Sequence, residues 1–361
     1  MAELIDIASM NAMLVQQMPA LIDALRLRGE RRGREFVAYN PTRADAHLGS
    51  FVITTAGARA GIWCDFATAN PGTGKPHGGD PLALIAYIEY GGDNRKAVGW
   101  ARRFLGLDGA EVPAISRRKL TDAREAAVRR EKTAESDDAN RRSQAWRLWL
   151  GARESLKGTP AEAYLLGRGI DLARLGRQPK ALRYHSQCHN TESGKAWPAL
   201  LAAITDGQGR HISTHRIWLE VQADRTVVKA PLEDPKKTLG RYLGGTIRLW
   251  QGRGGVPLSQ AEAGETVALT EGIEDGLTVA LARPDLRVMA TVALSNMANV
   301  KLPESCMTVL ICADNDRPRS AAAKALERVQ EHFLAEGRRV LIARPPEGVK
   351  DMNELLIGVA K

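Results

Sequence analysis

ETVALTEGIEDGLTVALA, residues 265–282, changes its period halfway along. Thr266–Thr270 is a short apolar run with β-formers, and from Glu274 to Ala282 the pattern is helical. Gly272 stands between the two, where it permits a tight turn. The alternation continues to the end of the chain. Arg287–Val292, Thr308–Ala313 and Arg339–Ala343 read as strands, and Ser320–Glu336 and Met352–Val359 as helices. Strands and helices alternating at this length predict a mostly parallel sheet covered by helices over residues 263–361.

In an open parallel sheet, functional groups gather beyond the carboxyl ends of the strands. Three of the expected ends carry acids. The first gives Glu271, with Asp275 four residues later on the first turn of the following helix. The second, TVLICADND (308–316), gives Asp314 and Asp316, whose spacing puts both on one side of a strand. The third, VLIARPPEGVKDMNE (340–354), brings Asp351 and Asn353 just past the last strand. Carboxylates converging in this way repel one another unless a cation sits between them. An oxygen-only donor set, without histidine or cysteine nearby, selects a hard ion such as Mg²⁺ or Mn²⁺. Such a site suits phosphoryl transfer.

The 361 residues allow two or three domains. Residues 1–110 read as a small mixed domain with short β runs, "EFVAYNP", "GSFVITT" and "AGIWCDFAT", followed by helical patterns. Residues 111–142 lack large apolar side chains and alternate short charge blocks, the pattern of a charged linker that is partly helical at best. Residues 143–262 open with an amphipathic helix and contain an apparent hairpin with Asp206-Gly207 at its tip. The overall class is therefore α/β and α+β in several domains. A formal charge of +9 suits a polyanionic partner. Four cysteines without paired spacing fit a reducing compartment and give no disulfide framework. The first residues lack the pattern of a secretion signal, and no apolar run is long enough to span a membrane, so a cytoplasmic protein is expected.

EGIED (271–275), ADND (313–316) and KDMNE (350–354), in that order, resemble the Toprim domain of bacterial and phage primases, topoisomerases and related nucleases. The resemblance implies that Glu271 is the acid–base or metal-proximal glutamate and that Asp314 and Asp316 are the metal pair. Asp275 and Asp351 would complete the acidic cluster around Mg²⁺. Asn353 stands where many bacterial primases have a second aspartate.

The amino-terminal residues are similar to the zinc-binding module of primases. Tyr39, Asn40, Pro41 and Thr42 replace its first ligand pair, and only Cys64 remains near the second. A tetrahedral zinc needs four nitrogen or sulfur ligands, so the same scaffold without zinc is expected. The stretches GRHISTHRIWL (209–219) and VKAPLEDPKKTLGRYLGGTIRLW (228–250) resemble the basic part of a primase core. By position, Arg216, Lys229, Lys236, Lys237 and Arg241 would hold template and nucleotide phosphates.

The competing Toprim classes lack their parts here. No gate domain for a topoisomerase tyrosine fits the remaining length. PGTGKP (71–76) lacks the upstream glycine and the Ser/Thr of an ATPase phosphate loop, so the chain carries no helicase motor. His185, Cys188 and His189 lie close together without an evident fourth zinc ligand, and Trp146, Trp149, Trp197, Trp218 and Trp250 read as packing residues. The expected protein is a primase-like Toprim enzyme of phages or mobile elements. It would make short primers on single-stranded DNA from nucleoside triphosphates with Mg²⁺, beside a replicative helicase supplied by another chain. A metal-dependent DNA nickase or nuclease, or a catalytically silent DNA-binding adaptor, are the alternatives.

Overall fold

The computed structural model describes residues 5–45, 48–69, 76–107, 114–315 and 320–359. It divides into two units, Met1–Asp137 and Asp138–Lys361.

The first unit opens with α1 (Ile7–Gln16), whose N-cap Asp6 accepts from the Ser9 amide at 2.6 Å, and α2 (Met18–Ala24). An antiparallel meander follows: β1 (Gly29–Arg32), β2 (Glu35–Ala38), β3 (Phe51–Thr54), β4 (Trp63–Ala69) and β5 (Pro76–Gly79). Two further helices, α3 (Pro81–Tyr90) and α4 (Asn94–Phe104), begin at the side-chain caps Asp80 and Asp93. Leu14, Met18, Phe51, Ile53, Leu84, Ile85 and Ala97 join helices and sheet in one core.

The charged stretch expected to be a loose linker is instead part of one unbroken helix, α5 (Ala114–Leu150). Residues 114–150 contain no glycine or proline and are rich in Ala, Arg, Glu and Lys, so propensity sustains a helix that the sparse apolar pattern does not announce. Tertiary anchors lie at separate points along it. Ala123 packs with Met13 and Leu107 of the first unit, and Trp149 joins a cluster of the second.

The second unit begins beyond α5 with α6 (Pro160–Gly167). Strands β6 (Leu182–His189), β7 (Ala196–Thr205), β8 (His211–Val221), β9 (Val227–Lys229) and β10 (Lys236–Leu239) form an antiparallel sheet in the order β10-β8-β7-β6, with β9 on β8. The β7–β8 hairpin expected from the sequence is present. It turns over five residues, Asp206–Arg210, and the Asp206 carboxylate accepts from the Gln208 and Arg210 amides. Cys188 and Trp218 are core residues, whereas Trp146 is 44% exposed.

A third sheet contains β11 (Ile247–Gln251), β12 (Thr266–Thr270), β13 (Arg287–Ala290), β14 (Thr308–Cys312) and β15 (Arg339–Ala343) in the order β11-β13-β12-β14-β15. β12 to β15 run parallel, as the alternation predicts, and β11 adds an antiparallel edge. That edge comes from before residue 263, so the sheet reaches further back in the chain than the β/α alternation does. Helices α7 (Ile273–Ala282), α8 (Leu294–Met297), α9 (Ala321–Ala335) and α10 (Met352–Val359) accompany it. Gly276 sets the approach of α7: a Cβ there would lie 2.4 Å from Leu249 Cδ1 and 2.9 Å from Thr270 Oγ1. Among the described residues no helix is long and apolar enough to cross a membrane.

Candidate active site

Glu271 follows the last residue of β12, and Gly272 is the N-cap of α7. The backbone beyond the strand is held by the neighbouring segment. The Thr291 amide donates to Thr270 O at 2.9 Å and the Val292 amide to Glu271 O at 3.0 Å. Val292 pays for this contact with a φ of 70°, a left-handed conformation that a β-branched residue adopts only under constraint. Gly272 leaves room for the carboxylates of the first helical turn, because a Cβ there would be 3.2 Å from Asp275 Oδ2 and 3.5 Å from Glu274 Oε2.

Asp275 is largely buried. Burial raises its pKa, an amide hydrogen bond from Asn353 at 2.9 Å works against this, and the charges of Asp351, Asp314 and Glu274 push it further up, to about 6. Its environment thus registers the acids of the other two strand ends. Asp351 caps α10 through the Glu354 amide at 2.7 Å. Asn353 is fully buried and donates to Arg168 O and Thr278 Oγ1, so it fixes α10 against the fold instead of facing the acids. Asn315, between the two aspartates of ADND, directs its amide nitrogen at the carbonyls of Pro345, Pro346 and Val349 within 3.0 Å. This clamps the loop that leads to Asp351 onto the end of β14. Asp316 lies outside the described residues. Among those described, no group of three His, Cys, Asp or Glu side chains is close enough to hold a metal ion. Glu271 and Asp314 nevertheless line one narrow cleft, together with Cys312, Arg344 and the start of α9. Burial and the Asp275 charge raise the Cys312 thiol to about 12, so it stays protonated there.

Glu274 was not singled out in the sequence, although it lies inside EGIED. It is 4% exposed, accepts from Tyr164 Oη at 2.7 Å, and pairs with Lys229 Nζ at 3.1 Å and Lys236 Nζ at 3.4 Å. Burial opposes its ionisation, but the two ammonium groups outweigh burial and hold the carboxyl well below its usual range. Nearby His215 is pushed down to about 4 by burial and by Lys236, and its Nδ1 lies 3.0 Å from Thr238 Oγ1. The signal that could have exposed Glu274 was a second acid beside Asp275 in the first turn of a helix that is otherwise mostly apolar. Two basic residues near in space, which sequence spacing does not reveal, complete it.

The five basic residues anticipated as phosphate contacts divide into groups. Lys236 and Lys237 line a cavity of about 430 Å³ with His215, Tyr242, Glu271 and Glu274. Lys229 is tied to Glu274, and Lys237 also pairs with Glu192. Arg216 stacks 4.7 Å above Trp218. Arg241 pairs with Asp138 at 2.8 Å and lines a separate cavity with Arg142, Trp146 and His211. Glu271 therefore belongs both to the lysine-lined cavity and to the Asp314 cleft.

In the first unit, Asn40, one of the positions compared with zinc ligands, belongs to a polar clasp around Asp65. Asp65 is fully buried and accepts from Asn40 Nδ2 at 2.8 Å, from Thr68 Oγ1 at 2.5 Å and from the Ala67 amide at 3.1 Å. The Arg43 guanidinium binds both of its oxygens. Cys64 is half-buried, and burial raises its thiol pKa. A guanidinium seated on the one buried carboxylate, beside a single protonated thiol, does not fit a zinc donor set.

Comparison with known proteins bears on the two parts of the second unit. Residues 266–360 match the model of the Toprim domain, and residues 139–249 match a domain of unknown function (DUF7146). Residues 266–360 are thus a Toprim domain, in keeping with the acids at its strand ends. A search of curated proteins finds no match. Among solved structures the chain is similar to the Aquifex aeolicus primase (zinc-binding and RNA polymerase domains), at 18% identity, 96% of this chain, 82% of that chain and a TM-score of 0.39. It is also similar to the primase fragment of the bacteriophage T7 primase-helicase protein, at 18% identity, 58% and 75% coverage and a TM-score of 0.35. A third is the DnaG primase catalytic domain bound to ssDNA, at 18% identity, 62% and 76% coverage and a TM-score of 0.40.

Proposed function

We propose that the protein is a primase-like nucleotidyltransferase that synthesises short primers on single-stranded DNA in the replication of a phage or mobile element. The observation carrying this reading is the double membership of Glu271, which lines a lysine-rich cavity on one side and the Asp314 cleft on the other. A phosphoryl group held at this junction meets cations and carboxylates together.

Glu271 and Asp314, which line one cleft, would hold Mg²⁺ together with Asp316, and Asp275 and Asp351 would complete the acidic surroundings. Asp275, raised first by burial and then by the charges of Asp351, Asp314 and Glu274, lies in reach of the field of the other strand-end acids. The ion when bound supplies charge stabilisation to the transferring phosphoryl group. Lys236 and Lys237 neutralise phosphate at the cavity rim; Glu274 holds Lys236, and Glu192 holds Lys237. Glu271 orients, and accepts the proton of, the attacking 3′-hydroxyl. The amino-terminal module would contact template without zinc, and a helicase from another chain would supply unwound strand.

The test is incorporation of labelled nucleoside triphosphates on a single-stranded template with Mg²⁺, for the parent chain and for Glu271→Gln. Template-dependent products lost in the variant support the reading. Strand cleavage without incorporation would establish the nuclease alternative, and neither reaction would leave a DNA-binding adaptor.

A further inference from the structure

At the other end of the Toprim sheet lies a cavity of about 370 Å³ that shares no lining residue with the acidic site. Arg287, at the amino-terminal start of β13, forms one wall; it pairs in register with Val267, at the beginning of β12, whereas Glu271 follows the end of β12. Arg177, Lys180 and Arg248 supply three more cations, and no carboxylate lines the space.

Arg287 is matched by Glu265, at 2.9 and 3.2 Å. The other three have no ion pair among the described residues at 4.0 Å or less. Arg248 donates to the backbone carbonyls of Asp206 and Gly207, while its buried Nε has no acceptor among the described residues. Burial lowers the pKa of its guanidinium, the charge of Arg287 adds to this, and the charge of Asp206 works against it. Arg177 lies 4.8 Å over the Trp250 ring, forming a flat cationic edge above apolar side chains. Three cations without a carboxylate partner among the described residues thus line one partly apolar space, Arg177 held by Gln251 and Trp250 and Arg248 by backbone carbonyls. An anion with a planar body would reduce their mutual repulsion.

We infer that this cavity is a second ligand site, remote from the acids, that binds a nucleoside di- or triphosphate. Arg248, Lys180 and Arg177 take the phosphates, and Trp250 with its apolar neighbours takes the ring. A volume of about 370 Å³ is in the range of small-ligand sites. Neither metal nor turnover is needed, so the inference goes beyond primer synthesis and does not rest on it.

The experiment is calorimetric titration of the full chain in EDTA with ATP, GTP, inorganic pyrophosphate and a short single-stranded oligonucleotide. Chelation silences the metal-dependent site. The expected result is saturable nucleoside triphosphate binding, retained in Asp314→Asn and weakened about tenfold or more by Lys180→Met and by Arg248→Met. Lys180 is exposed, so its variant tests the site even if Arg248→Met fails to fold. Equal binding of pyrophosphate and nucleotide would remove the ring subsite. Binding by the oligonucleotide alone, binding unmoved by Lys180→Met in the folded protein, or no saturation by any probe below about 1 mM would overturn the inference.

Discussion

Two buried carboxylates, Asp65 in the first unit and Glu274 in the second, are built from the same chemistry and end in different states. Each accepts from cationic side chains and lies within hydrogen-bond reach of a tyrosine hydroxyl, Tyr87 at 3.3 Å and Tyr164 at 2.7 Å. Asp65 is closed: one planar guanidinium covers both oxygens, and two short polar side chains and a backbone amide complete the shell. Glu274 is open, because its two lysine side chains remain 31% and 37% exposed and Lys236 fronts a cavity shared with Glu271. A fork-shaped donor locks a carboxylate, whereas ammonium groups on flexible stems hold it and still reach outward. The first arrangement is a fastening, and the second can exchange one anion for another.

The sharpest way to break this contrast is at the site itself. Glu271→Gln should lower primer synthesis by about a hundredfold to a thousandfold, with the melting temperature nearly unchanged. An active variant would dissociate the open cluster from chemistry. Next in size, Asp65→Ala should destabilise the first unit by about 3–5 kcal/mol in urea unfolding, since it leaves the Arg43 guanidinium without its buried partner. A loss below about 1 kcal/mol would mean that the clasp fastens nothing.

Acid should separate the two regions further. Burial raises the Asp65 pKa, but the bonds from Arg43, Thr68 and Ala67 bring it below the ordinary value. Its contribution is therefore complete above the unfolded carboxyl pKa, about 4, and is lost as pH falls through the folded value. Melting curves between about pH 5 and pH 2 should show the parent losing more stability than Asp65→Asn; parallel curves would contradict the assignment.

Smaller effects come from the rim and the strained backbone. Lys236→Met should reduce the salt dependence of single-stranded DNA or nucleotide binding by about one counterion. Val292→Asn tolerates the left-handed conformation better and should leave stability unchanged or raise it by up to about 1 kcal/mol. A loss beyond about 2 kcal/mol would show that packing, not backbone strain, governs that position.

The parallel sheet was legible because its strands are short apolar runs separated by well-marked helices, and Glu271 and Asp314 were legible as acids where such runs stop. Glu274 was hidden because its partners come from β9, β10 and α6, far away in sequence. The helix through residues 114–142 was hidden for another reason: solvated helices need propensity, not periodicity. Arg43 and Asp65 carry no signal in the sequence, because a salt bridge has no spacing rule comparable to a metal site. β11 could not be assigned to its sheet, because an antiparallel edge strand carries no mark of the partner it will find.

That last strand sets an order of events on the ribosome. β11 is synthesised before every strand of its sheet, yet its neighbour β13 emerges only after β12 and α7 have passed. β11 and β12 do not pair with each other, so neither of these ladders can form until β13, which lies between them, has been made. The Val292 amide that steadies Glu271 arrives with the same segment. A chain stalled before Val292 would leave the β11 edge and one edge of β12 open, and would lack the amide that binds Glu271 O.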